Sequence, residues 1–231
     1  MSGGAVDKSG RRSSFNCVCV RVCAYTHTHT HTHTHTYTHI HIHTQASHLA
    51  AIAVEPGGTV VAVEADAVRE KLLRATLRRQ QCFNVRVVGK DWLQVTPEEQ
   101  GGLLAQAEAV LVDPSCSNSG TLGDARSVVH PGRLQRLASF QTRALTHSLS
   151  LPRVRRVVYS TCSVHTEENE AVVAAVLKAF PNWALQEALP GWHRRGVACE
   201  GLPENLARLC VRVDPLLDQA HGFFVACLVR A

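Results

Sequence analysis

Short apolar runs alternate with amphipathic stretches along most of the chain. Four of the runs are continuous and end at turn residues, which is typical of buried strands: residues 59–64, 85–88, 109–112 and 156–159. In the segments between and after them, apolar residues recur every three or four positions, as they do on the buried face of a helix. Strands that alternate with helices predict an α/β fold with a mostly parallel sheet covered on both faces.

Three helices are predicted from this spacing, beginning at Asp66, at Pro131 and near Thr166. Pro131 suits a first helical position, and the Thr166 hydroxyl can cap the helix that follows it. The last two strands, residues 210–213 and 223–229, are expected to form an antiparallel hairpin. The core faces of the three helices are predicted to be, in order, Val68, Leu72 and Leu73; Leu134, Leu137, Phe140, Ala144 and Leu145; and Val172, Val173, Val176, Leu177 and Phe180.

Two of the strands are followed by a cysteine. Cys116 lies in the sequence DPSC after residues 109–112, and Cys162 lies in STCS after residues 156–159. The turns beyond the carboxyl ends of parallel strands are where open α/β sheets bind ligands. A single cysteine at such a place is more often a small buried hydrophobic residue than a nucleophile. Two of them, each in the turn beyond its strand, favour covalent catalysis.

Length and charge describe one domain with an appendage and a mildly basic surface. The chain has 231 residues, 45% of them hydrophobic, which is enough to bury a full core. Of the net charge of +5, the first 44 residues contribute +3, so the remainder carries only +2. The cations of that remainder are 17 Arg and 3 Lys, and guanidinium groups bind phosphates and stack on bases. This composition favours RNA as a partner, although it equally fits an ordinary solvated surface.

The cysteine content indicates reduced thiols, and no membrane segment is predicted. Nine cysteines at irregular spacing do not resemble a disulfide framework. Residues 22–54 form an uncharged stretch long enough to cross a bilayer, but its alternating Thr and His would leave too many polar groups in hydrocarbon. We therefore expect neither a secretory core nor a membrane span.

Residues 1–44 form a low-complexity, Thr/His-rich segment that we expect to be disordered. From residue 17 to residue 44 every amino acid has a codon of alternating purine and pyrimidine, which favours a translated dinucleotide repeat. The alternative is a metal-binding tract, because eight histidines occur between His27 and His43, downstream of Cys17, Cys19 and Cys23. No spacing among them selects a closed tetrahedral site, so no metal ligand is assigned.

The two cysteine passages resemble the paired motifs of a known enzyme family. Residues 113–120 read DPSCSNSG and residues 159–170 read YSTCSVHTEENE. They are similar to DP(S/P)CSGSG and to (Y/S)STCS with a following EENE in the RNA (cytosine-C5)-methyltransferases of the RsmB and NSUN type. The resemblance runs from about Gln45 to the C-terminus, so the domain is predicted to span residues 45–231.

Within that family the resemblance is greatest to the fifth NSUN subfamily, whose members methylate large-subunit ribosomal RNA. It rests on ASHLAA at residues 46–51, FQTRAL at 140–145 and GFFVA at 222–226. It implies a Rossmann-like sheet that binds S-adenosylmethionine, an RNA substrate, and residence in the nucleus and nucleolus. Neither a membrane nor a stable protein partner is implied.

The resemblance also implies roles for five residues. Cys162 would be the nucleophile that adds to C6 of cytosine, and Cys116 would assist the breakdown of the covalent adduct. Asp113 would hydrogen-bond the polar edge of the base, help to protonate N3, and border the cofactor. Glu64 would accept the ribose hydroxyls of S-adenosylmethionine, and Arg69 would line the same site. Without the family pattern, Glu64 and Arg69 read as an ordinary strand-end carboxylate and a solvated helical arginine.

Two departures from the family pattern concern the cofactor site and one motif. The family's DxCAAPGxKT segment is absent: residues 40–44 read IHIHT, and no glycine lies between Gly10 and Gly57. We therefore expect the first strand and the cofactor loop to be missing or replaced, two long sheet edges to be exposed, and S-adenosylmethionine to bind poorly. Asn118 stands where the family usually has Gly, which a left-handed backbone would tolerate. The alternative functions are a non-catalytic RNA-binding pseudoenzyme and a His-rich metal-binding protein.

Overall fold

The computed structural model describes residues 17–20, 40–54, 58–121 and 129–231, which fold around an eight-stranded mixed sheet. The order of the strands in the sheet is β3-β2-β1-β4-β5-β8-β6, and β7 pairs with β8. The strands are β1 Cys17–Val20, β2 Val60–Val63, β3 Val85–Val88, β4 Ala109–Val112, β5 Arg156–Thr161, β6 Trp183–Gln186, β7 Val211–Val213 and β8 Phe223–Arg230. The α-helices are α1 Ile40–Val54, α2 Ala67–Arg79, α3 Glu99–Gly102, α4 Pro131–Ser150, α5 Glu170–Ala179 and α6 Glu204–Ala207.

The predicted α/β architecture is confirmed. Strands β3, β2, β1, β4 and β5 are parallel to one another, whereas β8 runs antiparallel to β5, β6 and β7. The four apolar runs became β2 to β5, and the expected terminal hairpin is the pair β7 and β8. Strand β6 was not predicted, because it is short and only Trp183 within it is buried.

The first strand of the sheet is replaced rather than missing. Residues 17–20 lie between β2 and β4, with Cys17 opposite both Val60 and Ala109. The expectation of two exposed edges was therefore wrong. The slot between β2 and β4 presents backbone N–H and C=O groups on both sides, and valines, which favour strands, help a segment to fill it.

Most of the segment predicted to be disordered lies outside the described residues. Within residues 1–44 the structure describes only 17–20 and the start of α1 at Ile40. Residues 27–39, which carry six of the eight histidines between His27 and His43, are not among them. The domain boundary at Gln45 remains a prediction, and α1 begins before it.

Helices cover both faces of the sheet because successive strand residues point to opposite sides. On β2, Ala62 packs in one cluster with Ala46 of α1 and Leu73 of α2. Its neighbours Val61 and Val63 belong to the larger cluster on the other face, to which α4 and α5 contribute. No helix of the described residues is long and apolar enough to cross a membrane.

Helix α2 begins as predicted, but of the three residues predicted for its core face only Leu73 is buried. The Asp66 carboxylate accepts a hydrogen bond from the Val68 N–H and caps the helix. However, Val68 is 77% exposed and Leu72 is 48% exposed, whereas Leu73 and Leu77 are buried. The helix offers two apolar pairs four residues apart, 68 with 72 and 73 with 77, and only the second points at the sheet.

Helix α4 begins at Pro131 as predicted, but α5 begins later than predicted. Residues 166–168 form a separate turn of 3₁₀-helix, and α5 starts at Glu170. Asn169 lies between them with a non-helical φ of −112° and ψ of −97°. Its side chain accepts a hydrogen bond from Thr161 Oγ1 at 2.6 Å and donates to the Ser163 carbonyl at 2.9 Å. Asn169 is therefore held by the last residue of β5 and by the turn that follows it, and Thr166 does not cap α5.

The buried face of α2 gives a direct test by substitution. Leu73→Ala is expected to lower the free energy of unfolding by about 2–5 kcal/mol, because it removes a fully buried side chain. The matched control, Val68→Ala on the same helix, should change it by no more than about 0.5 kcal/mol. Urea unfolding followed by circular dichroism measures both. A larger loss for Val68→Ala than for Leu73→Ala would contradict this assignment.

Candidate active site

The carboxyl ends of β4 and β5 bring the two predicted cysteines into contact. The strands are parallel neighbours, with Val112 opposite Tyr159, so the turns that follow them leave the same edge of the sheet. Cys116 Sγ lies 3.1 Å from Cys162 Sγ. Cys116 is 7% exposed, and Cys162 is half-buried. Of the two thiols, Cys162 is the more accessible to a substrate.

Asn118 accepts hydrogen bonds from both thiols. Cys162 Sγ donates to its Oδ1 at 3.0 Å, and Cys116 Sγ lies 3.7 Å from the same oxygen. The φ of Asn118 is +59°, so the backbone here has the left-handed conformation in which Asn can replace the family's Gly. The left-handed region, which Asn enters more readily than most residues, thus places a polar side chain beside the thiol pair.

The Cys116 thiol is held in its protonated form. The hydrogen bond with Cys162 raises the pKa of Cys116 well above its usual value, and burial and the nearby charge of Cys162 raise it further. Cys116 therefore keeps its proton at neutral pH. A buried, protonated thiol is a poor nucleophile but a competent hydrogen-bond donor.

No helix N-terminus follows Cys162 directly. A helix that began near Thr166 would turn its positive end towards Cys162, but α5 begins at Glu170, beyond the 3₁₀ turn. Glu170 is fully buried, and its Oε2 pairs with Arg212 Nη2 at 2.6 Å. The Arg212 Nη1 in turn donates to the Val164 carbonyl at 2.8 Å. This ion pair holds the turn after Cys162 against β7.

Asp113 directly follows β4 and lies beside the turn after β5. Ser160 Oγ donates to its Oδ1 at 3.3 Å, and Gln45 Nε2 donates to its Oδ2 at 2.8 Å. Gln45 Oε1 is buried and has no hydrogen-bond partner among the described residues. Sequence analysis missed Gln45, because it lies at the boundary of the family resemblance and no local pattern marks it.

Glu64 and Arg69 lie at the same edge of the sheet, two strands away from Asp113. Neighbouring strands are about 4.8 Å apart, so the backbone positions that carry the two carboxylates are roughly 10 Å apart. Glu64 is fully buried, and Arg69 binds it in a bidentate manner, Nη2 to Oε1 at 2.8 Å and Nε to Oε2 at 3.1 Å. The Asp66 N–H donates to Oε1 at 2.9 Å. The structure thus brings Glu64 and Arg69 together.

The turn after Cys116 is closed by a contact between two glycines. Gly120 N–H donates to the Cys162 carbonyl at 2.9 Å, and Gly222 N–H donates to the Gly120 carbonyl at 2.7 Å. A Cβ on Gly120 would lie 2.5 Å from the Gly222 oxygen. The last residue of the DPSCSNSG passage must therefore be glycine for the two loops to approach so closely.

No metal centre is found in the part of the chain that the structure describes. Within residues 17–20, 40–54, 58–121 and 129–231, no group of three or more His, Cys, Asp or Glu side chains is placed to hold a metal ion.

Comparison with known proteins agrees with the motifs. A family model described as 16S rRNA methyltransferase RsmB/F matches residues 44–229. The 25S rRNA (cytosine-C(5))-methyltransferase NSUN5 of Arabidopsis thaliana is 39% identical, over 80% of this chain and 34% of that protein. The 28S rRNA (cytosine-C(5))-methyltransferase of Mus musculus is 36% identical, over 81% of this chain and 40% of that protein. The chain thus spans about two fifths or less of the length of these two relatives.

Solved structures show the same fold. A methyltransferase homologue from Pyrococcus horikoshii has a TM-score of 0.70 at 21% identity, over 95% of this chain and 63% of that one. The structure of PH0851 has a TM-score of 0.72 at 22% identity, over 94% of this chain and 43% of that one.

The hydrogen bond from Cys162 to Asn118 should restrain the thiol. Asn118→Gly is expected to make Cys162 react with iodoacetamide about five times faster, because the thiol no longer has to break its bond to the Asn118 oxygen before it reacts, and one such bond is worth about 1 kcal/mol. Glycine tolerates the left-handed backbone. Peptide mass spectrometry follows the alkylation. Asn118→Asp, the matched variant of opposite sign, should slow it, because a carboxylate is a stronger hydrogen-bond acceptor than an amide. Equal rates in all three proteins would contradict this account.

Proposed function

The chain belongs to the RsmB/F family of rRNA methyltransferases, and from this premise we propose that it carries the catalytic part of an enzyme that methylates C5 of cytosine in RNA. The observation that carries the proposal is the contact of 3.1 Å between the thiols of the two family motifs. The substrate we propose is large-subunit ribosomal RNA, which would be met in the nucleus and nucleolus. The names of the plant and mouse relatives, which specify 25S and 28S rRNA, support this substrate.

Cys162 is the nucleophile in this proposal. C5 of cytosine is too weak a nucleophile to take a methyl group, and addition of a thiolate at C6 makes it enamine-like. Cys162 is the accessible member of the pair, and Ser160, two residues before it, donates a hydrogen bond to Asp113. Asp113, fixed by Ser160 and Gln45, would hydrogen-bond the polar edge of the base and help to protonate N3 as the S–C6 bond forms.

Cys116 serves the release of the product. Transfer of the C5 proton to a solvent water re-forms the C5–C6 double bond and expels the Cys162 thiolate. Because Cys116 keeps its proton and lies against Cys162 Sγ, its S–H can donate to the departing thiolate and stabilise it. This division of labour requires one accessible and one buried thiol, which is the observed arrangement.

S-adenosylmethionine would supply the methyl group. Glu64 would accept its ribose hydroxyls, with Arg69 and Asp113 bordering the same edge of the sheet. Among the described contacts, Glu64 Oε2 takes a single donor, so one acceptor position remains for a hydroxyl. Residues 40–44 take the place of the family's glycine-rich segment, and neither they nor residues 21–39, which follow β1, contain Gly or Pro. Glu64 therefore fits the cofactor, whereas residues 21–44 do not supply the loop.

A second candidate is an RNA-binding protein without catalytic activity. It is favoured by the absence of Gly and Pro from residues 21–39, because a close backbone approach to the cofactor depends on them. RNA binding in the absence of cofactor binding would select this alternative.

Replacement of Cys162 should prevent formation of the covalent adduct, whereas replacement of Cys116 should prevent its breakdown. With ribosomal RNA and millimolar S-adenosylmethionine, Cys162→Ala should lower methyl transfer by about a thousandfold or more, because the nucleophile is lost. Cys116→Ala should accumulate a covalent protein–RNA adduct, seen as a slow band on a denaturing gel. The control Cys227→Ala, a half-buried thiol of β8, should behave as wild type. An adduct that persists in Cys162→Ala would overturn the assignment.

Cofactor affinity is expected to be low. The dissociation constant for S-adenosylmethionine should be weaker than about 100 μM, which corresponds to about −5.5 kcal/mol. The reason is that residues 21–44 contain neither the Gly nor the Pro of the family's cofactor loop. Isothermal titration calorimetry on the full chain measures it, and Glu64→Gln should remove any remaining signal. A micromolar constant would show that residues 21–39 replace the loop functionally.

A further inference from the structure

Glu168 is a fully buried carboxylate in the 3₁₀ turn after β5, and the sequence analysis gave it no role beyond membership of the EENE run. None of the ion pairs among the described residues includes it. A buried carboxylate is costly unless several donors satisfy it. Its side-chain hydrogen bonds within the described part of the chain come from neutral groups, which belong to Ser117, Gln141 and Ser163.

Two of these donors adjoin the two cysteines. The Ser117 N–H, next to Cys116, donates to Oε1 at 2.9 Å. The Ser163 hydroxyl, next to Cys162, donates to Oε2 at 2.5 Å. The two oxygens of the Glu168 carboxylate thus hold one cysteine turn each: Oε1 holds the Cys116 turn, and Oε2 holds the Cys162 turn. The link is independent of the β4–β5 backbone pairing, which ends before either cysteine.

Gln141 of α4 fixes the other side of Cys116. Its Nε2 donates to Glu168 Oε1 at 2.8 Å and to the Ser115 carbonyl at 3.0 Å. Gln141 is fully buried. The residues before and after Cys116 are therefore both tied, directly or through Gln141, to the same carboxylate oxygen.

A row of buried hydroxyls reinforces the link. Ser117 Oγ lies 3.1 Å from Ser163 Oγ, and Ser119 Oγ lies 3.3 Å from it. These hydroxyls pass from the first cysteine turn to the second, and the network ends on the Glu168 carboxylate. The hydroxyls and the carboxylate of this buried network are hydrogen-bonded, although Gln141 Oε1 has no partner among the described residues, and such a network favours one arrangement of the groups that it joins.

We propose that Glu168 is a positioning residue that sets the distance between the two thiols by tying the Cys116 turn to the Cys162 turn. The inference rests on the proposed function, because a thiol pair held in contact is what adduct formation and release require. Its geometry can nevertheless be tested without any methyl transfer.

The first test measures the distance between the thiols. The full chain is oxidised with diamide, and the Cys116–Cys162 disulfide is quantified by peptide mass spectrometry. Wild type should form it readily. Glu168→Ala should lower its yield about tenfold, the effect expected when a charge-assisted hydrogen bond is lost. Glu168→Gln keeps the size and one acceptor oxygen, so it should restore the yield to within about twofold of wild type.

The second test measures the charge. The negative charge of Glu168 adds to the causes that raise the pKa of Cys116, after the Cys162 hydrogen bond and burial. Glu168→Gln should therefore shift the pH profile of Cys116 alkylation by iodoacetamide to lower pH. A residue that only supported the fold would leave this profile in place when its shape is preserved.

Controls separate positioning from stability. Ser148→Ala removes another buried hydroxyl of α4, bonded to Trp92, and should lower the melting temperature without changing the disulfide yield. If Glu168→Ala does not fold, Gln141→Ala decides, and it should lower the yield because the Ser115 carbonyl is released. An unchanged yield in the folded alanine variant, or an unshifted profile in Glu168→Gln, would overturn the proposal. Absence of methyl transfer by wild type would count against the proposed function alone.

Discussion

The parallel pairing of β4 with β5 is the constraint on which the whole site depends. Neighbouring strands lie about 4.8 Å apart, and their register sets Val112 opposite Tyr159, so the turns that follow begin side by side. The thiol contact and the bond between Ser160 and Asp113 both follow from that start. A register slip of one residue would turn every side chain of one strand to the other face and separate the groups.

The fold could be predicted where the chain carries its own signal. Continuous apolar runs identified β2 to β5, and the position of the cysteines at strand ends indicated the site. Local pattern failed on α2, where Val68 with Leu72 and Leu73 with Leu77 both form helical pairs and only packing on the sheet selects the second. It also failed at residues 17–20, which read as part of a low-complexity repeat but fill the slot between two strands. Tertiary context overrode the composition there.

The supporting shell of the site could not be predicted, because it joins residues that are distant along the chain. Glu168 meets Ser117 across 51 residues, and Gln45 meets Asp113 across 68. No periodicity encodes such contacts. The motifs indicated the two candidate cysteines and Asp113, whereas the groups that hold them became visible only in the folded chain. Two glutamates that look alike in the sequence thus have different partners. Glu64 forms an ion pair with Arg69, whereas the described donors to the Glu168 side chain are all neutral.

The contact between Gly120 and Gly222 bears on how the molecule is made. During synthesis both cysteine motifs leave the ribosome well before Gly222 and the β8 strand that follows it. The loop that carries Cys116 receives its closing hydrogen bond from Gly222, and β5 receives its antiparallel partner from β8. A nascent chain therefore carries both thiols for some time without the finished enclosure around them. The enclosure of the thiol pair is completed late in biosynthesis, when β8 docks on β5.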